Sequence, residues 1–244
     1  MEKKANRLRA RRRLRLETRL AGSNIAVSPW SRPLDRAKVR AIKRDAVLRA
    51  AVQLFNEFGY HASSLAMLAE RLKLTKPTIC YYITTVEEIL FECVRLGLEL
   101  LRTAIADAAA FGSTAVGKLK AAMNEYALIV MRDFGMCLIR VGEDPLAPEA
   151  RKKLRRLKTE LDHEFRALIE QGISEGSLEP FDPKRAAFTL AGALSWIGRW
   201  YAPHGPLSAE AVALDSTAVL MNGLLVRPAL TERVRKHSAR RHRA

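Results

Sequence analysis

Apolar residues recur at steps of three and four through most of this chain between residues 36 and 226. The first such run is Val39, Ile42, Val47, Ala50, Leu54, Phe55 and Phe58, with one step of five at Val47. That spacing predicts a six-turn helix with one buried face. Asp35 suits its N-cap, and Gly59 the left-handed residue after its end. The outer face is basic, at Arg36, Lys38, Arg40, Lys43 and Arg44. Tyr60-His61-Ala62 turns the chain. Ser63 or Ser64 can then cap a second helix that points Leu65, Leu68, Ala69 and Leu72 inward. Lys73-Leu74 breaks it.

A third, short helix is predicted from Thr75, the natural N-cap, with Lys76, Pro77 and Thr78 in its first turn. Proline is tolerated there because the first N–H groups of a helix have no intrahelical partner. Ile79 and Ile83 are one turn apart and face inward. Thr84 or Thr85 ends this helix and caps the next, where Glu87 and Glu88 sit favourably in the first turn.

The remaining periodicity is also helical, so the expected fold class is all-α. Helices are predicted from about Thr85 to Ala110, from about Thr114 to Val141, from Pro148 to the glycine at 176, from Pro183 with Asp182 as N-cap, and from Ser208 to about Val226. Phe111-Gly112-Ser113, Gly142-Glu143-Asp144-Pro145 and Pro203-His204-Gly205-Pro206 are the interruptions. The long helix after Pro148 carries Leu154, Leu157, Leu161, Phe165, Leu168 and Ile169 as one stripe.

Two short helices joined by about three residues and buttressed by a longer one make a helix-turn-helix. In that motif the second helix enters the major groove by its N-terminal end. Here that end is Thr75, Lys76, Pro77 and Thr78. Lysine bonds phosphate or guanine, threonine bonds base edges or phosphate, and proline can touch a thymine methyl. The Tyr81 and Tyr82 hydroxyls, one turn on, can donate to phosphate.

Charge supports a polyanionic partner. Residues 1–44 hold 15 Lys/Arg against 3 acids, and residues 227–244 hold 7 against 1, leaving 20 against 22 between them. The net charge of +16 therefore sits at the two ends of a nearly neutral body. Residues 1–35 have few large apolar side chains and close on Ser28-Pro29-Trp30-Ser31-Arg32-Pro33, which reads as a basic, disordered arm.

Enzymatic and metal chemistry finds little support. Cys80, Cys93 and Cys137 are widely spaced, and no Cys/His pair has metal-ligand spacing. His61, His163, His204, His237 and His242 are scattered, with no HExxH or GxSxG. The expectation is no cofactor, no metal and no catalytic site. No apolar run is long enough to span a membrane, and residues 1–20 lack the apolar segment of a secretory signal, so a cytoplasmic protein is expected.

The stretch RDAVLRAAVQLFNEFGYHASSLAMLAERLKLTKPTICYYITTVEEIL, residues 44–90, resembles the DNA-binding domain of the TetR family of transcriptional regulators. Long helix, glycine, serine cap, turn and tyrosine pair all occur at that family's spacing. The resemblance implies DNA contacts from Thr75, Lys76, Pro77, Thr78, Tyr81 and Tyr82, a Ser63 or Ser64 hydroxyl on phosphate, and Lys73 nearby at the turn. The sequence departs from the family at four places. Lys73 stands where Gly or Asn is usual, Cys80 where an aromatic is usual, Ile83 where Phe is usual, and Val86 where a phosphate-binding lysine is usual.

The helices at about 183–203 and 207–226 are apolar around much of their circumference, with Trp196 and Trp200 four apart. Paired with symmetry mates they would form an isologous four-helix interface, as in the family's homodimers. A two-fold dimer suits a palindromic operator in double-stranded DNA. The resemblance also implies an effector pocket between the middle helices, for which Met131, Phe134, Met136, Phe165, Phe188 and Trp196 are candidate lining residues. Arg140, Arg151, Lys152 and Lys153 could meet a phosphate-bearing ligand. The segment ALSWIGRWYAPHGPLSAEAV is similar to the subgroup that includes steroid- and acyl-CoA-responsive repressors, implying a small hydrophobic or acyl-CoA-like effector.

The domains then read as a basic arm at 1–35, a helix-turn-helix domain at 36–84, an effector-binding and dimerisation domain at 85–228, and a basic tail at 229–244. The competing reading is a basic helical protein that binds nucleic acid through its tails without reading sequence.

Overall fold

The computed structural model describes residues 36–111 and 114–225. The expected arm, the Asp35 cap, the Gly112-Ser113 turn and the C-terminal tail lie outside the described residues. The chain divides into two units between Val47 and Leu48. The described part of the first unit is the leading half of helix α1 (Arg36–Phe58).

Within the second unit, α1 ends at Gly59, whose φ of +82° is the left-handed conformation expected of it. Next come α2 (Leu65–Leu72) and α3 (Lys76–Cys80). Ala51, Leu54 and Phe55 of α1, Leu68 and Ala69 of α2, and Ile79 and Ile83 are all buried. The third helix is shorter than expected. Tyr82 N–H already bonds Ile79 carbonyl in a tighter turn at 2.9 Å, so Tyr81 and Tyr82 follow α3 rather than belong to it.

Helix α4 (Val86–Phe111) lines the larger bundle with Leu90, Cys93, Val94, Leu98, Leu101 and Ile105. Its start is capped reciprocally. Glu88 N–H donates to Thr85 Oγ1 at 3.0 Å, while the Glu88 carboxylate accepts from the Thr84 N–H and hydroxyl.

The single helix expected from about Thr114 to Val141 is two helices, α5 (Ala115–Val130) and α6 (Asp133–Arg140), broken at Met131-Arg132. No proline marks the break. Gly135 permits it, because a Cβ there would collide with the Ile129 carbonyl. A second close approach fixes α6 on α4: a Cβ on Gly97 would lie 2.8 Å from the Phe134 carbonyl oxygen.

Helix α7 (Pro148–Ser174) buries Leu154, Leu161, Phe165, Leu168 and Ile169, the expected stripe apart from half-buried Leu157. Asp182 caps α8 (Pro183–Trp200) by accepting from Arg185 N–H at 2.8 Å, and Ser208 caps α9 (Ala209–Leu224) likewise from Ala211 N–H at 3.1 Å. Each of these caps replaces a backbone hydrogen bond that the first helical turn lacks. Among the described residues there is no β-strand, only an isolated bridge between Leu178 and Leu225. No helix among them is long and apolar enough to cross a membrane.

Candidate nucleic-acid interface

The exposed turn at α3 is held by its local sequence. Lys73 has φ 54° and ψ 41°, so a lysine does occupy the left-handed position, at a cost of roughly 1–2 kcal/mol relative to right-handed backbone. Leu74 N–H closes the end of α2 on Ala69 carbonyl at 2.8 Å. Thr75 is extended and caps α3, accepting from Thr78 N–H at 3.4 Å. The two threonine hydroxyls also share a hydrogen bond of 2.8 Å. One hydroxyl proton of that pair stays available to a further acceptor.

Lys73, Thr75, Lys76 and Pro77 are exposed and Thr78 is half-buried, while Ile79 and Ile83 are sealed beneath them. Tyr81 is 65% exposed and meets half-buried Tyr82 edge to face, with ring centroids 5.0 Å apart. Polar groups on one side and two isoleucines on the other leave this turn rigid and outward-facing.

The two serines are distinguished. Ser64 is the N-cap of α2, accepting from Met67 N–H at 3.2 Å, so its own hydroxyl proton can be donated outward. Ser63 spends its proton on Gly59 carbonyl at 2.7 Å. Only Ser64 is therefore arranged to donate to a phosphate. Arg71 is engaged by Glu57 at 2.5 Å, and exposed Lys73 and Lys76 flank the turn.

Polar interactions that spacing along the sequence does not suggest join this region to the larger bundle. The Glu87 carboxylate accepts from Ala147 N–H at 2.8 Å, capping α7 from the first turn of α4. Asn56 Nδ2 donates to Asp133 carbonyl at 2.9 Å, and the Arg49 guanidinium lies 6.0 Å from the centre of the Phe134 ring. The start of α6 is thus held by α1. Burial, with Glu87 as a second cause, raises the Tyr60 phenol above its ordinary value.

The six candidate pocket residues do not come together. Met131, Phe134, Met136 and Phe165 are buried. Phe188 and Trp196 are 56% and 65% exposed on the outer side of α8, so they do not line an interior space with the other four. The reason is that Ala187, Leu190, Leu194 and Ile197 take the inward positions of that helix. A polar pair inside the bundle has no sequence signal: Tyr126 hydroxyl and Ser195 Oγ are 2.9 Å apart, next to Phe165, and burial raises the Tyr126 phenol.

Arg140 is already occupied. It donates to Gly198 and Tyr201 carbonyls at 2.8 and 3.1 Å and so caps the end of α8, while burial and then Arg199 lower its pKa. Cys80, Cys93 and Cys137 are free thiols, and burial pushes Cys137 up to about 12, far from reactive. Among the described residues no three His, Cys, Asp or Glu gather as a metal site would require.

An exposed, capped turn on a three-helix scaffold, followed by a helical bundle, has the arrangement of a helix-turn-helix protein. Comparison with known proteins agrees. Residues 47–93 match the family described as bacterial regulatory proteins, tetR family, and residues 112–224 match the tetracyclin repressor-like C-terminal domain. A TetR/AcrR-family transcriptional regulator from Thermobifida fusca is 32% identical, with a TM-score of 0.60 over 75% of this chain and 98% of that one. The transcriptional repressor KstR2 of Mycolicibacterium smegmatis is 21% identical over 194 residues, 75% of this chain and 91% of the relative. AibR, solved with isovaleryl coenzyme A and operator DNA, shares the fold at 24% identity and a TM-score of 0.66, over 73% of this chain and 98% of that one. The chain belongs to the TetR family. It is a DNA-binding transcriptional regulator, not an enzyme.

Proposed function

We propose that the protein is a repressor that occupies a palindromic operator as a homodimer and leaves it when a small hydrophobic or acyl-CoA-like effector binds. The observation that carries this reading is the exposed first turn of α3, with Thr75, Lys76, Pro77 and Thr78 outward over buried Ile79 and Ile83. Thr78 and Lys76 read base edges, and Tyr81, Tyr82, Lys73 and the Ser64 hydroxyl hold phosphates.

Dimerisation runs through α8 and α9. Their outward Phe188, Trp196, Trp200, Leu214 and Val219 are about half exposed or more, an apolar area that a second copy would cover. A two-fold axis there sets two α3 helices about 34–36 Å apart, one turn of DNA. The effector class is supported by the isovaleryl coenzyme A bound to AibR and by the apolar character of Met131, Phe134, Met136 and Phe165. In this reading the basic arm ends at 35, the helix-turn-helix domain at 84, and the effector-binding and dimerisation domain at 228. The site of action is the cytoplasm, where bacterial operators are.

Selection of bound genomic fragments tests the reading, because it yields an operator and the neighbouring genes. The operator should be preferred over random duplex by about 10³-fold or more. Lys76→Ala and Thr78→Ala should change that preference. If neither did, while removal of residues 1–35 and 229–244 abolished all duplex binding, the protein would be a non-specific polyanion binder instead.

A further inference from the structure

The sequence RKKLRRLK, residues 151–158, places six cations and no acid in two turns of α7. Recognition by α3 makes no use of them. The structure divides the six. Arg155 and Lys158 are engaged by Glu143 at 3.5 and 2.8 Å, and Arg151 is half-buried. Lys152, Lys153 and Arg156 are exposed on the outer face and make no ion pair among the described residues.

Their position in the fold gives this ridge a direction. Helix α7 begins at the bond between Ala147 N–H and Glu87, and Glu87 is the second residue of α4. Only a bend of five residues, 81–85, separates α3 from α4. The basic turns therefore start at the end of the bundle that carries the recognition turn. Lys152 lies about 7 Å and Arg156 about 13 Å along the axis from Ala147. The far end of α7 is about 40 Å away, where Glu175 accepts from Ala115 N–H at 3.2 Å at the start of α5.

We propose that Lys152, Lys153 and Arg156 form a second DNA-contacting surface, a ridge on the effector-side bundle that engages phosphates of the duplex flanking the operator. It rests on the reading of α3 as the operator-reading element. Contacts from these cations to phosphate oxygens carry no sequence preference. It adds affinity and salt dependence while the choice of site stays with α3.

The test uses the full chain and two duplexes: the selected operator alone, and the operator extended on each side by one helical turn, about 10 bp. The variant is Lys152→Gln/Lys153→Gln/Arg156→Gln, all exposed positions where glutamine keeps helix propensity. Lys118→Gln/Lys120→Gln, in the first turns of α5 at the opposite end of α7, controls for net charge against the two-site variant Lys152→Gln/Lys153→Gln, which removes the same two charges.

On the extended duplex the ridge variant should lower the slope of log affinity against log salt by about 0.9 for each phosphate it no longer neutralises. On the short duplex it should match the parent, and the order of preference among operator variants should not change. The control should keep the parental slope on both. Equal slopes for ridge variant and parent on the extended duplex overturn the inference. So does an equal decrease in the control, which would make the effect one of overall charge. If the parent shows no operator preference, the reading of α3 fails on its own, and a length-dependent slope change on random duplex would still establish the ridge.

Discussion

Two surfaces of this molecule present side chains to water for opposite reasons. Around α3, the outward residues are Thr75, Lys76, Pro77, Thr78 and Tyr81, polar or small, over sealed Ile79 and Ile83. Around α8 and α9, the outward residues are Phe188, Trp196, Trp200, Leu214 and Val219, over equally sealed Leu190, Leu194 and Ile197. The inner faces are alike, so inward packing says only that both helices are folded in place. The outer faces differ in chemistry. Hydrogen-bonding groups fixed on a rigid turn suit a polar, hydrated partner. Uncovered aromatic area suits a partner that removes it from water, at about 25 cal/mol per Å² of apolar surface covered.

The sharpest break comes from charging the apolar surface. Trp196→Glu should convert dimer to monomer in analytical ultracentrifugation and abolish cooperative operator binding, with helix content unchanged. Large aromatic anchors at interfaces contribute about 2 kcal/mol or more each, and a two-fold interface repeats the loss. A variant that stays dimeric would show that α8 is not the covered face. Next in size is the scaffold beneath the polar surface. Ile79→Ala removes a fully buried side chain and should cost about 2–5 kcal/mol. Thermal melting should show the loss even without DNA. An unchanged melting temperature would mean that α3 is not packed as described.

A smaller change separates positioning from direct binding. Thr75→Ala removes the N-cap of α3 and should cost about 1 kcal/mol of stability, because Thr78 N–H loses its acceptor. Thr78→Ala leaves the cap in place. If both weaken operator binding but only Thr75→Ala lowers the melting temperature, the threonine pair divides as the geometry indicates.

How far each surface could be read from sequence follows from the same contrast. At α3 the caps, the proline and the four-residue isoleucine spacing are local, and the structure keeps them at Thr75, Pro77, Ile79 and Ile83. The bundle depends on distant interactions. The break at Met131-Arg132 interrupts an unbroken apolar rhythm, and the close approach that Gly135 permits, against the Ile129 carbonyl, exists only after folding. Helix α8 is apolar on two sides, so periodicity could not tell which side Phe188 and Trp196 occupy. Glu87 and Asn56 bond backbone atoms 60 and 77 positions away, a separation that no local pattern encodes.

The finest distinction lies at the edge of the polar surface, between two adjacent serines that spacing leaves equivalent. Ser64→Ala removes both the α2 cap and a hydroxyl whose proton can be donated outward. Ser63→Ala removes a bond to Gly59 carbonyl and nothing that faces DNA. Each should lower stability by about 1 kcal/mol, so melting alone cannot separate them. Operator affinity measured across salt can. Ser64→Ala should lose one hydrogen bond to phosphate, weakening binding at every salt concentration by a constant factor, because a neutral donor releases no counterion. Ser63→Ala should leave affinity unchanged once the folded fraction is held near one. The opposite pattern would assign the phosphate bond to Ser63, and would require its hydroxyl to turn away from Gly59 when DNA arrives.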